Sequence, residues 1–316
     1  MYRPEIKVLD CTIRDGGLIN KWQFSDELVR ATYQAVCEAG VDYMEIGYKA
    51  SADIFDPKEY GKWRFCKEED VRKVLEGLEL KTKLACMVDI GRVKEEDILP
   101  VEDSVFDMIR VASYVKDVDK GIALANQIID KGYEVTLNLM AVSTNREKDI
   151  DEALKQIDAT EIPYVYLVDS FGSLYCEDIT FLAKKYIDAL PGKTIGIHCH
   201  NNCQLAFSNT VQSIIEGVNI LDASVYGIGR GAGNCNLELL VGFLKNPKYH
   251  LRPVLKLIEE HFLPLRKEIE WGYIIPMMVT GMLNEHPRTA IAVRSTPDKD
   301  KFAEFYDKIT LQEIVE

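Results

Sequence analysis

The stretch Ile6-Lys7-Val8-Leu9-Asp10-Cys11-Thr12, followed directly by Ile13-Arg14-Asp15-Gly16-Gly17, decides how the rest of the chain is read. An apolar run of strand length near the N-terminus can open a doubly wound sheet, but that fold places a GxGxxG turn straight after it. Here the turn carries Arg-Asp-Gly-Gly instead. Further runs of strand length follow at Tyr43–Tyr48, Leu84–Asp89, Phe106–Ala112, Glu134–Val142, Tyr164–Asp169, Thr194–Asn201 and Ile220–Tyr226. Charged, helix-favouring segments such as DELVRATYQAVCEAG and VDKGIALANQIIDKG separate them, with Ser25 placed to cap the first. Chemically distinctive residues cluster after the first, seventh and eighth runs. First and last strands are neighbours only in a closed sheet, so the pattern predicts an α/β fold, a (β/α)₈ barrel. Residues 1–248 are expected to form it. Residues 249–316 change to a helical pattern interrupted by prolines and are expected to pack on the barrel as a C-terminal extension.

The 316 residues are 47% hydrophobic and 28% charged, with a formal net charge of −13. An acidic surface repels phosphate backbones and anionic lipid, so neither nucleic acid nor a membrane is expected as a partner. An anionic substrate would then need positive charge supplied inside the site, by a metal or an arginine. The N-terminus has no signal-peptide pattern, and no window approaches the roughly 18 apolar residues of a membrane span. Eight cysteines (Cys11, Cys37, Cys66, Cys86, Cys176, Cys199, Cys203 and Cys235) form no CxxC pair. They read as reduced thiols of a cytoplasmic protein.

The sharpest chemical signal is His198-Cys199-His200-Asn201-Asn202, closing the seventh run. Side chains at i and i+2 share a strand face, so both imidazoles project together while Cys199 faces the helices. Two histidines at the C-terminal mouth of a barrel strand can bind one divalent metal. Asp15 can complete a set of two nitrogens and one carboxylate oxygen. Arg14 beside it can neutralise charge developing on a substrate oxygen, although alone the pair would read as a surface turn. Gly16 and Gly17 suit a loop in which backbone approaches a ligand closely. After the eighth run, Gly227–Asn234 reads GIGRGAGN and lacks the GK[ST] ending of a phosphate-cradling loop. Beside the other two clusters it is read as a mobile lid carrying Gly229, Gly231 and Gly233, with Asn234 near the metal.

Together DCTIRDGG, IGIHCHNN and GIGRGAGN resemble the DRE-TIM metallolyase (HMGL-like) superfamily, over most of residues 6–245 and in the same order. The resemblance implies a TIM barrel with a divalent metal held by Asp15, His198 and His200. In the lyase branch Asn234 would be a further ligand. It also implies that Arg14 stabilises an enolate, and that Glu45 and Asp169 are acidic residues lining the site. The nearest subgroup is the aldolase branch, especially short proteins with RDGG and a WGY…LNxHPR tail. Two departures stand out. The aldolases carry a histidine shortly after RDG, used as a base, where this chain has Leu18-Ile19-Asn20-Lys21. The thioester lyases carry a cysteine before the last-loop asparagine, whereas Cys235 follows Asn234.

The chemistry so implied is a metal-dependent lyase acting on a small-molecule 2-oxo acid through a stabilised enolate. Mn²⁺ or Mg²⁺ is the expected ion, with Zn²⁺ or Co²⁺ able to use the same donors. Glu45, Lys21, Tyr48 or a metal-bound water would serve as base. Rival readings are a Claisen-type synthase condensing acetyl-CoA with a 2-oxo acid, and a catalytically silent metal-binding barrel. An amidohydrolase is disfavoured because its HxH normally closes the first strand. His250 and His261 read as surface or packing residues, and Trp22, Trp63 and Trp271 as packing of the mouth or tail. Asn284–Arg288 reads as a capped helix end. Apolar runs such as IIPMMVTGML would suit a homodimer interface formed by the C-terminal helices.

Overall fold

In the computed structural model, which describes residues 1–311, eight parallel strands close into a barrel in the order β1 to β8. They are Lys7–Asp10 (β1), Tyr43–Tyr48 (β2), Lys83–Asp89 (β3), Met108–Tyr114 (β4), Glu134–Met140 (β5), Tyr164–Asp169 (β6), Thr194–Cys199 (β7) and Ile220–Ala223 (β8). Closure is made by β1 against β8, with Lys7 opposite Ile220 and Asp10 opposite Ala223. The GxGxxG-free first turn is therefore explained: the site is shared by the strands that meet at this seam.

Strand parity sorts the side chains. Leu9, Tyr43, Ala85 and Met108 pack together inside the barrel, and Tyr166, Val168 and Ile220 form a second interior group. The alternate residues, among them Val8, Met44, Cys86, Ile109 and Ile197, face outward into the main core with the helices. This is the two-sided burial that parallel strands require.

The first outer helix of the sequence reading, Asp26–Glu38, begins where Ser25 predicts: the Ser25 side chain accepts from the Leu28 N–H at 3.2 Å. Its buried face (Leu28, Val29, Thr32, Tyr33, Val36) recurs at helical spacing. Ser25→Ala should cost about 1 kcal/mol by leaving that N–H without its side-chain partner. Urea unfolding checks this, and an unchanged midpoint would count against the cap.

One expectation fails here. Residues after β1 are not a loop: Thr12–Asn20 is a helix (α1), preceding Asp26–Glu38 (α2), and it carries the tandem glycines. The reason is packing, since a Cβ on Gly17 would lie 2.1 Å from the Trp22 ring. Lys21 and Trp22 leave the helix with φ of 57° and 59°, folding the indole back over it.

Past β8 the chain forms helices only, including Leu251–Leu257, Ile275–Met282, Arg288–Val293 and Phe302–Thr310. The prolines start helices more than they break them: Pro276 stands in the first turn of Ile275–Met282 and Pro287 is the N-cap residue of Arg288–Val293. Ile274, Met277, Val279, Ala290 and Phe305 bury one another together with Ala232 of the glycine-rich loop. Asn202 donates to the Met277 carbonyl at 3.1 Å, tying this layer to the loop after β7. The apolar run 274–283 is thus largely consumed inside the molecule. Asn284 adopts φ 53° at the helix end and bridges the Ser143 carbonyl (2.9 Å) and Ser173 (2.8 Å), the capped end expected there. Residues 312–316 of the expected extension lie outside the described residues. No helix among the described residues is long and apolar enough to cross a membrane.

Candidate active site

A cavity of about 720 Å³ opens at the C-terminal ends of the strands. Arg14, Asp15, His198, His200 and Arg230 reach it from the three motifs. His198 ends the inward-facing series of β7, and His200, one residue past the strand, keeps the same side. Their rings stand 5.0 Å apart. Cys199 between them is buried outside the barrel, as parity predicts.

Ligand atoms of Asp15, His198 and His200 all lie within 4.8 Å of one another. Three buried atoms at this point have no hydrogen-bond partner among the described residues: Asp15 Oδ2, His198 Nε2 and Asn234 Oδ1. Leaving such atoms unpaired costs about 1–3 kcal/mol each, more for a charged group. One cation with oxygen and nitrogen ligands would satisfy Asp15 Oδ2 and His198 Nε2 together, so the residues fit a divalent ion. A second grouping, Cys11 with His198 and Asp222, meets the same distance criterion. It fits poorly: burial pushes the Cys11 thiol well up, and Asp222 is already engaged by Arg110.

The protonation states are set by neighbours. Burial alone would raise Asp15, but the positive groups around it, foremost the Arg14 guanidinium bonded to its Oδ1 at 2.8 Å, together outweigh it and hold the carboxyl well below the usual range. Burial drives His200 well down, so it is neutral. His198 Nδ1 lies 2.9 Å from Asp222 Oδ2, and His200 Nδ1 lies 3.3 Å from the Gly233 carbonyl. Both partners accept only, so each Nδ1 carries a proton, and in the neutral His200 the Nε2 keeps its lone pair.

The residues that hold this arrangement were the ones sequence reasoning missed. Arg110 of β4 is fully buried at the barrel centre, donating to Glu45 Oε2 at 2.8 Å and to Asp222 Oδ2 at 2.7 Å. Arg14 Nε donates to the same Glu45 oxygen at 2.6 Å. An alternating chain, Asp15–Arg14–Glu45–Arg110–Asp222–His198, therefore joins two of the three grouped residues through the barrel. Its signal in the sequence was a charge at an inward position of an apolar strand: Arg110 in FDMIRVA and Asp222 in ILDASVY.

Several expected roles are corrected. Glu45 does not line the cavity; it lies beneath it, between two guanidiniums, as the brace of Arg14. Asp169 does not line it either, because Val168 and Ser170 take the inward positions of β6 and turn Asp169 out. Its carboxylate accepts instead from the N–H groups of Ser173 (3.0 Å) and Leu174 (3.4 Å). The glycine-rich segment, expected as a lid, packs as a wall in this structure: Gly229, Gly231 and Gly233 are all buried. A Cβ on Gly229 would meet Asn234 Nδ2 at 2.3 Å and Asp15 Oδ2 at 2.6 Å, and one on Gly233 would meet the Gly227 carbonyl at 1.9 Å. Of this loop Arg230 reaches the cavity, anchored on the Ser170 carbonyl.

Asp169 supplies a pH test. Burial raises its carboxyl from the ordinary 3.8 to about 7, against the hydrogen bonds that lower it. A folded-state pKa above the unfolded one means the native protein takes up the proton between those values. Stability contributed by the neutral form is full below pH about 4 and is lost as pH rises towards 7, by up to a few kcal/mol. Asp169→Asn should flatten that part of a Tm–pH profile; parallel profiles for the two proteins would sink this assignment.

A closed parallel barrel gathering histidines, an aspartate and arginines at the C-terminal mouth has the architecture of an α/β-barrel enzyme site. The chain belongs to the HMGL-like family, whose model matches residues 5–259. It is 30% identical over 250 residues to the 4-hydroxy-2-oxovalerate aldolase of Pelotomaculum thermopropionicum, covering 78% of this chain and 72% of that protein. It is 29% identical over 251 residues to the oxaloacetate decarboxylase of Mycobacterium tuberculosis, with the same coverage of 78% and 72%. Among solved structures, the N-terminal domain of an aldolase-like protein from Bacteroides vulgatus superposes with a TM-score of 0.77 and 28% identity, covering 94% of this chain and all of that one. The Brucella melitensis HMG-CoA lyase shares the fold at 16% identity, with a TM-score of 0.66 over 83% of this chain and 99% of that one.

Proposed function

We propose that the chain is a divalent-metal-dependent carbon–carbon lyase that cleaves or forms the bond next to the keto group of a 2-oxo acid through an enolate. The observation that carries this reading is the grouping of Asp15, His198 and His200 ligand atoms within 4.8 Å of one another, beside Arg14. Asp15, His198 and His200 would hold the ion, with Asn234 Oδ1 as a further donor; Mn²⁺ or Mg²⁺ suits the set, and Zn²⁺ or Co²⁺ can use it. Bound there, the ion supplies a Lewis acid that draws negative charge onto the keto oxygen.

The remaining work is done by side chains. Arg14 is gripped by Glu45 and Asp15, so its free edge faces the cavity in a fixed orientation. A guanidinium already in place meets a developing oxyanion without reorganisation. Asp222 fixes the tautomer of His198 and thereby the direction of its lone pair.

Of the side chains first considered as base, Glu45 is locked between Arg14 and Arg110 away from the cavity. Lys21 sits at the rim paired with Glu59, which keeps it protonated. Tyr48 stands on the cavity wall, and burial pushes its phenol well up. Tyr48 therefore donates: it can hold the carbinol oxygen or return a proton to it in the bond-forming direction.

A second reading of the same site is decarboxylation of a 2-oxo diacid. Loss of CO₂ leaves the same enolate and has no carbinol proton to remove, which accords with Leu18–Lys21 replacing the histidine of the aldolases and with the decarboxylase relative. Proton NMR of pyruvate and 2-oxobutyrate in D₂O tests the shared step: metal-dependent loss of the C3 proton signal supports it. CO₂ release from oxaloacetate, against cleavage of 4-hydroxy-2-oxo acids, separates the two readings.

A further inference from the structure

Arg64 lies on the wall of the same cavity, against the Tyr48 ring and with no role assigned above, and its surroundings are unusual for a charged residue. It is 3% exposed. Three aromatic rings enclose its guanidinium, with Cζ at 4.6 Å from the centroid of Trp22, 4.3 Å from Tyr48 and 4.0 Å from Phe55. Among the described residues none of its side-chain N–H groups makes a hydrogen bond, and Nε is fully buried without a partner. Among the described residues its one ionic neighbour, Asp89 Oδ2, is 3.7 Å away and is shared with Arg92, at 3.4 Å.

Three rings lie against this guanidinium, but its N–H groups have no acceptor among the described residues. Aromatic faces attract the cation, but a ring offers no acceptor in the guanidinium plane, where the N–H groups point. A buried charge without a hydrogen-bonded partner is expensive, and a planar fork of free donors matches a carboxylate or a phosphoryl group. One carboxylate serving two arginines also leaves this end of the cavity positive, in a chain whose net charge is −13.

The position relative to the reacting centre is set by Trp22. Its Nε1 donates to the Arg14 carbonyl at 2.9 Å, while its ring lies under Arg64. One indole therefore ties the helix that carries Arg14 and Asp15 to the cage around Arg64, and both arginines line the one cavity. At about 720 Å³ the cavity has far more room than a three-carbon acid fills.

We infer that Arg64, held in the Trp22–Tyr48–Phe55 cage, is an anion-binding residue that selects substrates bearing a second acidic group, carboxylate or phosphoryl, at the end remote from the 2-oxo acid. This rests on the 2-oxo acid reading above and deepens it: the fragment beyond the broken bond carries the second anion. Arg64 in this role sets specificity and does not touch the reacting carbons.

Calorimetric titration of the full chain with Mn²⁺ tests it, using 2-oxoadipate, its phosphonate counterpart 2-oxo-5-phosphonopentanoate, and the monoanionic 2-oxohexanoate. The inference expects at least one dianion to bind about tenfold or more tightly than 2-oxohexanoate, the scale of hydrogen bonds to a charged group. Whichever dianion binds more tightly identifies the acidic group. In Arg64→Met, which keeps bulk in the cage, the ratio should fall towards one, and Arg64→Lys should recover part of it. A purely structural Arg64 would weaken all three ligands alike and leave the ratio unchanged. Equal binding of all three by the unaltered chain overturns the inference while leaving the 2-oxo acid reading standing. No binding of any of the three overturns both, and that comparison needs no variant.

Discussion

Asp15→Ala and His198→Ala proteins will leave the C3 protons of pyruvate in D₂O unexchanged by added Mn²⁺, under conditions where the unaltered chain exchanges them. Each change removes one of three groups whose ligand atoms lie within 4.8 Å, and each of the two removed atoms is buried with no other partner among the described residues. Losing an outer partner of a metal ligand costs roughly 10–100-fold in affinity or activity, so losing a ligand should exceed that range. Mn²⁺ affinity, read by titration, should fall with the exchange rate. The fold should survive, because Arg14 keeps Glu45 and Asp222 keeps Arg110 when these end members of the chain are lost. Asp15→Ala is the more informative of the two, since it also frees one edge of Arg14 while Glu45 still grips the other. Retained Mn²⁺ affinity in both variants would show that this cluster is not the metal site. Retained affinity with lost exchange would instead assign these residues to the organic substrate.

Arg110→Met will unfold at markedly lower denaturant concentration, by about 3–5 kcal/mol. For a chain of this size that corresponds to a fall in Tm of about 5–8 °C. The arginine is fully buried, its Cζ lies 4.4 Å from the centroid of the Tyr166 ring, and two carboxylates depend on it. Methionine fills most of the space but leaves Glu45 sharing one guanidinium and Asp222 with none. Removing one partner of a buried network costs more than removing the network, because uncompensated charge is left behind. The triple variant Arg110→Met, Glu45→Gln, Asp222→Asn should therefore recover much of the stability. It should not recover exchange activity, because Arg14 and His198 lose the charged partners that hold them. A loss below about 1 kcal/mol in the single variant would mean that water or a rearranged side chain takes over from Arg110.

Both predictions concern residues that were not equally visible in the chain. HCH, RD and AGN stand out because their spacing combines with strand parity: i and i+2 share a face, and a strand end at a barrel mouth brings its last inward residues into the site. Arg110 and Asp222 obey the same parity, yet each is a lone charge in a short apolar run. Such a charge has no reading until its partner is known, and here the partners are 65 and 112 residues away from Arg110. Asp169 failed for the opposite reason. Its place at the end of β6 matched an acidic position of related sites, but alternation from Tyr164 puts it on the outer face, where it anchors the following loop.

The glycines mark the same boundary. Gly16-Gly17 and Gly229-Arg230-Gly231-Ala232-Gly233 were read as backbone freed for motion or for a ligand. The structure shows them as close approaches, to the Trp22 ring, to Asn234 and Asp15, to Met277 and to the Gly227 carbonyl. A missing Cβ means the same in the sequence whether a ligand or a neighbouring side chain takes the space.

What the sequence by itself determined was the eight-strand alternation, the closed sheet, and the identity of Arg14, Asp15, His198 and His200 as one cluster. These follow from periodicity and from the demand that chemically loaded strand ends meet, both properties of local order along the chain. What only the tertiary structure decided was which buried charges complete one another. Arg110, Glu45 and Asp222 are assigned by contacts across the barrel, and Arg64 by a cage of rings drawn from three separate segments. Burial makes such charges costly unless matched, and the match is a property of distance in space that spacing along the chain does not carry.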